Sequence, residues 1–170
     1  MKNKTFPLII GIIAVVSTFV IILVMIFSGG DDKKDSSTTD YGKSDSNRPI
    51  AVLSTKQIDW GEINLKDTKE SEVELRNDGN SPLEINKLTT SCGCTAVKVS
   101  YNETTTKEYN MHQDLKEKIS IAPKTAAKVK VIYRPFTMPI EGAVTRQVFI
   151  ETNDPNNSKL EINASAVVEK

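Results

Sequence analysis

From residue 50 onward, apolar and polar positions alternate instead of recurring every three or four residues. In residues 70–77 (ESEVELRN), Val73 and Leu75 fall on one face, with Glu72, Glu74 and Arg76 on the other. Residues 126–133 (AAKVKVIY) set Ala127, Val129, Val131 and Tyr133 against Lys128 and Lys130. Residues 159–168 (KLEINASAVV) align Leu160, Ile162, Ala164, Ala166 and Val168. Period two over short segments marks half-buried strands. NDGNSP (77–82) and NDPNNS (153–158) supply turn chemistry between them. The pattern predicts an all-β fold, an antiparallel β-sandwich of about seven strands. One short, weakly amphipathic helix is expected around residues 109–118, inside the polar stretch 100–118.

The N-terminal pattern is of another kind. Residues 6–27 (FPLIIGIIAVVSTFVIILVMIF) carry no charge. As a helix they would be roughly 33 Å long, enough for a bilayer core of about 30 Å. Lys2 and Lys4 precede the run, and Asp31 and Asp32 follow it. The positive-inside rule therefore predicts a single-pass anchor with residues 1–5 cytoplasmic and the C-terminal part extracytoplasmic. A cleaved secretory signal is the competing reading, with Ser28, Gly29 and Gly30 as small residues near a cleavage point, although the apolar run exceeds the usual signal core. Both readings export the remainder. Residues 28–49 contain one aromatic and no aliphatic side chain, which predicts a flexible polar linker. Residues 50–170 form the exported domain, large enough for one two-layer core.

Composition then removes several function classes. The chain has 170 residues, with 22 basic and 22 acidic side chains and a formal net charge of zero. A balance so well mixed argues against a nucleic-acid partner. No nucleophile elbow, phosphate-binding glycine loop or His-Glu-x-x-His motif is present. The chain has one histidine, His112, so a Ser/His/Asp arrangement would have to pass through it. No catalytic residue and no cofactor is assigned, and the expectation is a protein that is not an enzyme. Trp60, in IDWGEI, reads as a core plug flanked by Ile58 and Ile63.

The order of small motifs is more specific. DWGEI (59–63), RNDGNSPLEI (76–85), TSCGCTAV (90–97), ISIAPKTAAKVKVIY (119–133) and ETNDP (151–155) resemble a bacterial family, domain of unknown function fifteen-seventy-three. The resemblance covers nearly all of the exported domain, and its Cys-Gly-Cys motif is the most specific part. It implies an immunoglobulin-like sandwich akin to the abnormal-spindle/Hydin group, exported in bacteria, and supplies no biochemical activity. Two departures stand out: Lys124 occupies a turn position where the family has glycine, and the 100–118 connection is longer than usual.

Cys92 and Cys94 are the only cysteines. In an extended strand, residues i and i+2 share a face with their sulfurs apart, so a direct bond requires a turn at Gly93. Four readings stay open. The pair can be small packed hydrophobes or a local disulfide staple; a soft-metal site for Cu(I), completed by Met111 and His112 if their loop folds back; a thiol-exchange pair; or an intermolecular link. The function expected is non-catalytic binding or scaffolding of an envelope protein partner, with strand addition at a sheet edge as one mode. The alternative is thiol-redox or copper-binding action through Cys92 and Cys94.

Overall fold

A computed structural model of the chain describes residues 41–170. The expected transmembrane helix at 6–27 and most of the expected linker lie outside the described residues. Among the described residues there are ten strands: β1 (Ala51–Leu53), β2 (Gln57–Asn64), β3 (Lys69–Asn77), β4 (Leu83–Thr90), β5 (Thr95–Tyr101), β6 (Thr104–Thr105), β7 (Ile119–Ile121), β8 (Ala126–Tyr133), β9 (Gly142–Thr152) and β10 (Lys159–Glu169). They form two five-stranded sheets, ordered β1-β3-β8-β5-β6 and β2-β10-β9-β4-β7. The all-β expectation holds, with two corrections. The strand count rises because β1, β6 and β7 have three residues or fewer, too short to leave a periodic trace. One pairing, β2 with β10, is parallel.

The alternation explains the two faces. Val73 and Leu75 of β3, Val97 and Val99 of β5, and Val129 and Val131 of β8 are fully buried from the first sheet. Leu83 and Leu88 of β4, Val148 and Ile150 of β9, and Ile162 of β10 meet them from the second. Each such side chain contributes about 1.5–3 kcal/mol of burial. Glu70, Glu72, Lys128 and Lys130 cover the outer face of the first sheet and pair across β3 and β8.

No helix forms at residues 109–118. Tyr109 is instead fully buried and exchanges two backbone hydrogen bonds with Val97, at 2.8 and 2.9 Å. A large aromatic ring with access to an unpaired strand edge gains more from burial than a short, weakly amphipathic segment gains from helix formation. The outer edges are poor templates for strand addition. β1, β6 and β7 are short, and β2 is interrupted at Gly61, where φ is +62° and the register against β10 shifts nearby.

The pole at which the chain enters is knitted by polar side chains. Asn77 donates to the carbonyls of Ser81 (2.8 Å) and Ile121 (3.0 Å), and its oxygen accepts from the amides of Gly79 (3.0 Å) and Ile50 (3.3 Å). Asn153 accepts from the Glu84 amide at 2.9 Å and donates to Pro82. Asp154, fully buried, accepts from the Ala51 amide (2.9 Å), the Asn157 side chain (2.9 Å), the Asn156 amide (3.0 Å) and Arg48 (3.2 Å). The last residues of the expected linker therefore dock on the sandwich: Arg48 through Asp154, and Asn47 through the Ser81 hydroxyl. Lys124 has φ +62° and so keeps the left-handed geometry that glycine would favour there.

Two outcomes are expected from this pole. A Cβ on Gly79 would lie 2.4 Å from the Arg48 carbonyl oxygen and 2.6 Å from the Ile50 nitrogen, both backbone atoms. Gly79→Ala should cost on the order of 2–4 kcal/mol, read as a lowered urea midpoint, because the entering strand must move. For Asp154, burial pushes the carboxyl up, but hydrogen bonds from Ala51, Asn157 and Asn156 and the Arg48 charge outweigh it and hold the group below the ordinary carboxylate range. A lowered folded value means this stability is complete above about pH 4 and fades as pH falls through the folded value. Asp154→Asn should lower the urea midpoint at neutral pH and flatten its decline below about pH 4. An unchanged acid limb would remove Asp154 as its source.

Candidate functional site

At the opposite pole the chain leaves the second sheet at Thr90 and enters the first at Thr95, with Ser91, Cys92, Gly93 and Cys94 between. Both threonines are buried. The Thr90 hydroxyl lies 2.8 Å from the Cys92 carbonyl and 3.0 Å from that of Thr95, to which it can donate in turn. The Thr95 amide donates to the Cys92 carbonyl at 3.2 Å, and the Arg134 backbone amide donates to the Cys94 carbonyl at 2.9 Å. Ser91 is fixed twice to Gln147 of β9, its amide donating at 2.9 Å and its hydroxyl accepting at 2.9 Å. Every bond serves one purpose, holding a four-residue crossing between two sheets.

The crossing is a turn, not an extended strand, so the sulfurs do not stand apart. The Cα atoms of Cys92 and Cys94 are 5.3 Å apart and the two side chains are joined by a disulfide bond. The Cys94 amide points at the Cys92 sulfur, 3.0 Å away. The Thr95 hydroxyl sits 3.8 Å from one sulfur and 3.9 Å from the other. Cys94 is 3% exposed and packs with Ile63, Tyr133, Val144, Ala166 and Val168, while Cys92 is half-buried at the rim of that cluster.

Among the described residues, one charged side chain donates to a sulfur of this turn. Arg146 of β9 donates from Nε to the Cys94 sulfur at 3.2 Å. Its guanidinium lies 5.5 Å from the centre of the Tyr133 ring, and that ring stacks on Trp60 at 5.7 Å. The Trp60 indole N–H donates to Ser71 at 2.8 Å, so Trp60 does pack between the sheets as its flanking residues suggest. The sequence reading missed Arg146. The signal was available, because Arg146 has the same parity in β9 as the inward-facing Val144, Val148 and Ile150. A charge on an apolar strand face is unusual and asks for a partner.

The long 102–118 excursion also visits this pole. Glu108 accepts from both terminal nitrogens of Arg134, at 2.9 and 3.0 Å, and this bond first of all holds the Glu108 carboxyl below its ordinary range. The loop does fold back: the His112 ring lies 3.7 Å from where a Cβ on Gly93 would stand. Met111 beside it is exposed. Among the described residues, no three His, Cys, Asp or Glu side chains are grouped to hold a metal. An open recess of about 610 Å³ lies elsewhere, between Tyr101, Thr105, Glu117 and Ile119. Leaving from Arg134, the β8–β9 loop exposes Phe136, Met138 and Ile140, each at 48%.

The model of one family, described as Protein of unknown function (DUF1573), matches residues 51–166. No curated protein matches the chain. Among solved structures, a protein of unknown function from Porphyromonas gingivalis W83 is similar at TM-score 0.55 and 20% identity. That match covers 72% of this chain and 49% of the other, so the chain spans about half its length. The ASH / PapD-like domain 7 of human CEP192 is similar at TM-score 0.48 and 14% identity, covering 82% of this chain and 96% of that one.

The geometry of the crossing yields an expectation of its own. Thr90→Val keeps the side-chain shape and removes the hydroxyl that the Cys92 and Thr95 carbonyls share. It should cost about 1–3 kcal/mol in urea denaturation with the far-ultraviolet spectrum unchanged.

Proposed function

The chain belongs to the family described as Protein of unknown function (DUF1573), and from that premise we propose a non-catalytic binding or scaffolding module of the bacterial cell envelope. In this reading an immunoglobulin-like domain is held outside the cytoplasm by a single membrane-spanning segment at residues 6–27. It engages an envelope protein through the pole that carries the β8–β9 loop. The observation that carries the reading is the exposure of Phe136, Met138 and Ile140 within one five-residue segment. Lone exposed apolar residues are ordinary, but three together are the kind of surface a partner covers. The short and kinked sheet edges shift the contact from strand addition to this loop.

Site-specific photo-crosslinking in intact cells tests both halves of the proposal. A crosslinker at Phe136 should give a discrete protein adduct in the membrane fraction, and the same group at Lys128, on the charged sheet face, should not. Replacing Met138 and Ile140 with serine should abolish the adduct without changing the amount of protein. Equal labelling at both positions would sink the loop as a docking surface. Release of the chain from membranes by alkaline carbonate would sink the anchor.

A further inference from the structure

The two sulfur atoms at the crossing are not equivalent, and the difference has chemical direction. Cys94 is almost fully buried, and Arg146 touches its sulfur at 3.2 Å. Cys92 lies at the rim and is partly exposed. Stacking over Tyr133, itself backed by Trp60, holds the guanidinium in place. Among the described residues no carboxylate forms an ion pair with Arg146; its other hydrogen bond, from Nη1, goes to the Thr145 carbonyl at 3.0 Å. Its charge is therefore directed at the sulfur and is not neutralised by an acid.

We propose that Cys92 and Cys94 form a thiol–disulfide exchange site of fixed polarity, in which an incoming thiolate attacks Cys92 and Cys94 leaves as the thiolate held by Arg146. The reaction partner is a dithiol, on a protein or a small molecule. Its thiolate forms a bond to the Cys92 sulfur as the Cys92–Cys94 bond breaks, and Cys94 takes the electron pair. The partner's second thiolate then attacks its own sulfur in the mixed disulfide and expels Cys92. Two electrons pass to the cysteine pair, the partner becomes a disulfide, and its two thiol protons end on Cys92 and Cys94. In reverse, the reduced pair yields its electrons to a partner disulfide. Exchange is faster when the leaving sulfur is the better-stabilised thiolate, and attack requires access along the line of the bond. Arg146 provides the first condition at Cys94 and the rim position provides the second at Cys92.

The rival is a static staple in which Arg146 merely packs on Tyr133. The two part in a kinetic experiment on the full chain in detergent, oxidised and then exposed to excess dithiothreitol, with free thiols trapped by maleimide and counted by intact mass. Arg146→Gln should slow reduction about tenfold, and Arg146→Lys less, at an unchanged unfolding midpoint. In single-cysteine chains, the thiolate absorbance of Cys94 in the Cys92→Ser variant should persist to lower pH than that of Cys92 in the Cys94→Ser variant. Reduction of Arg146→Gln at the wild-type rate, or a Cys94 thiolate that is lost at higher pH than that of Cys92, would overturn the polarity. A wild-type chain whose thiols no disulfide oxidant can close within the monomer would overturn the site. Should Arg146→Gln fail to fold, the Arg146→Lys rate and the two single-cysteine chains decide the matter.

Discussion

The chain has four residues in which to cross from the second sheet to the first, between Thr90 and Thr95, and the architecture of one pole follows from that limit. Stacked sheets lie about 10 Å apart, so a connection this short must run almost straight from layer to layer. Its backbone groups are drawn into a region where unpaired carbonyls are costly. Thr90, Thr95, Arg134 and Gln147 satisfy them. Gly93 sits at the bend, and the cysteines on either side of it are joined there by a disulfide. The Cys-Gly-Cys motif is thus first a solution to a crossing problem, and its chemistry is a consequence of where the crossing is made.

Much of this was legible in the sequence. The inward sets of β3, β8 and β10 follow from parity alone, since Val73, Leu75, Val129, Val131, Leu160 and Ile162 are all buried. What parity cannot supply is direction or partner. Nothing in Gln57–Asn64 announces that it runs parallel to a strand about a hundred residues later, because a strand shows the same alternation whichever way its neighbour points. Tyr109 was misread for a related reason: its own neighbours are polar, and the pairing that buries it lies on β5. Asn77, Asn153 and Asp154 read as turn residues and do occupy turns, but their side chains bind the amides and carbonyls of remote segments. Local propensity was right, and their long-range work was hidden. Arg146 is the opposite case, a violation of parity visible in the sequence itself.

The two poles divide the labour. One consumes its polar side chains in fixing the entering segment, with every oxygen of Asp154 occupied. The other carries the exposed apolar loop, the half-buried Cys92 and an excursion clipped on by Glu108 and Arg134. Rigid support sits beneath it, because Tyr133, Cys94 and Ile63 belong to the same buried cluster. Binding loops on a stiff sandwich are a common arrangement, and the stiffness lets side chains act without reorganising the core.

Arg48 and Ala51 have one more consequence, a mechanical one. β1 begins at the entry pole and points into the body of the first sheet, paired with β3 from Ala51 opposite Asn77 to Leu53 opposite Leu75. A pull on the chain before residue 48, resisted at the far pole, runs along β1 and not across it. Its ladder bonds are then stretched together instead of parting one by one, and the Asp154 contacts to Ala51 and Arg48 take up load at the same moment. A three-residue strand would be a weak fastening if peeled; drawn lengthwise, it behaves as a lap joint with a bolt at its end.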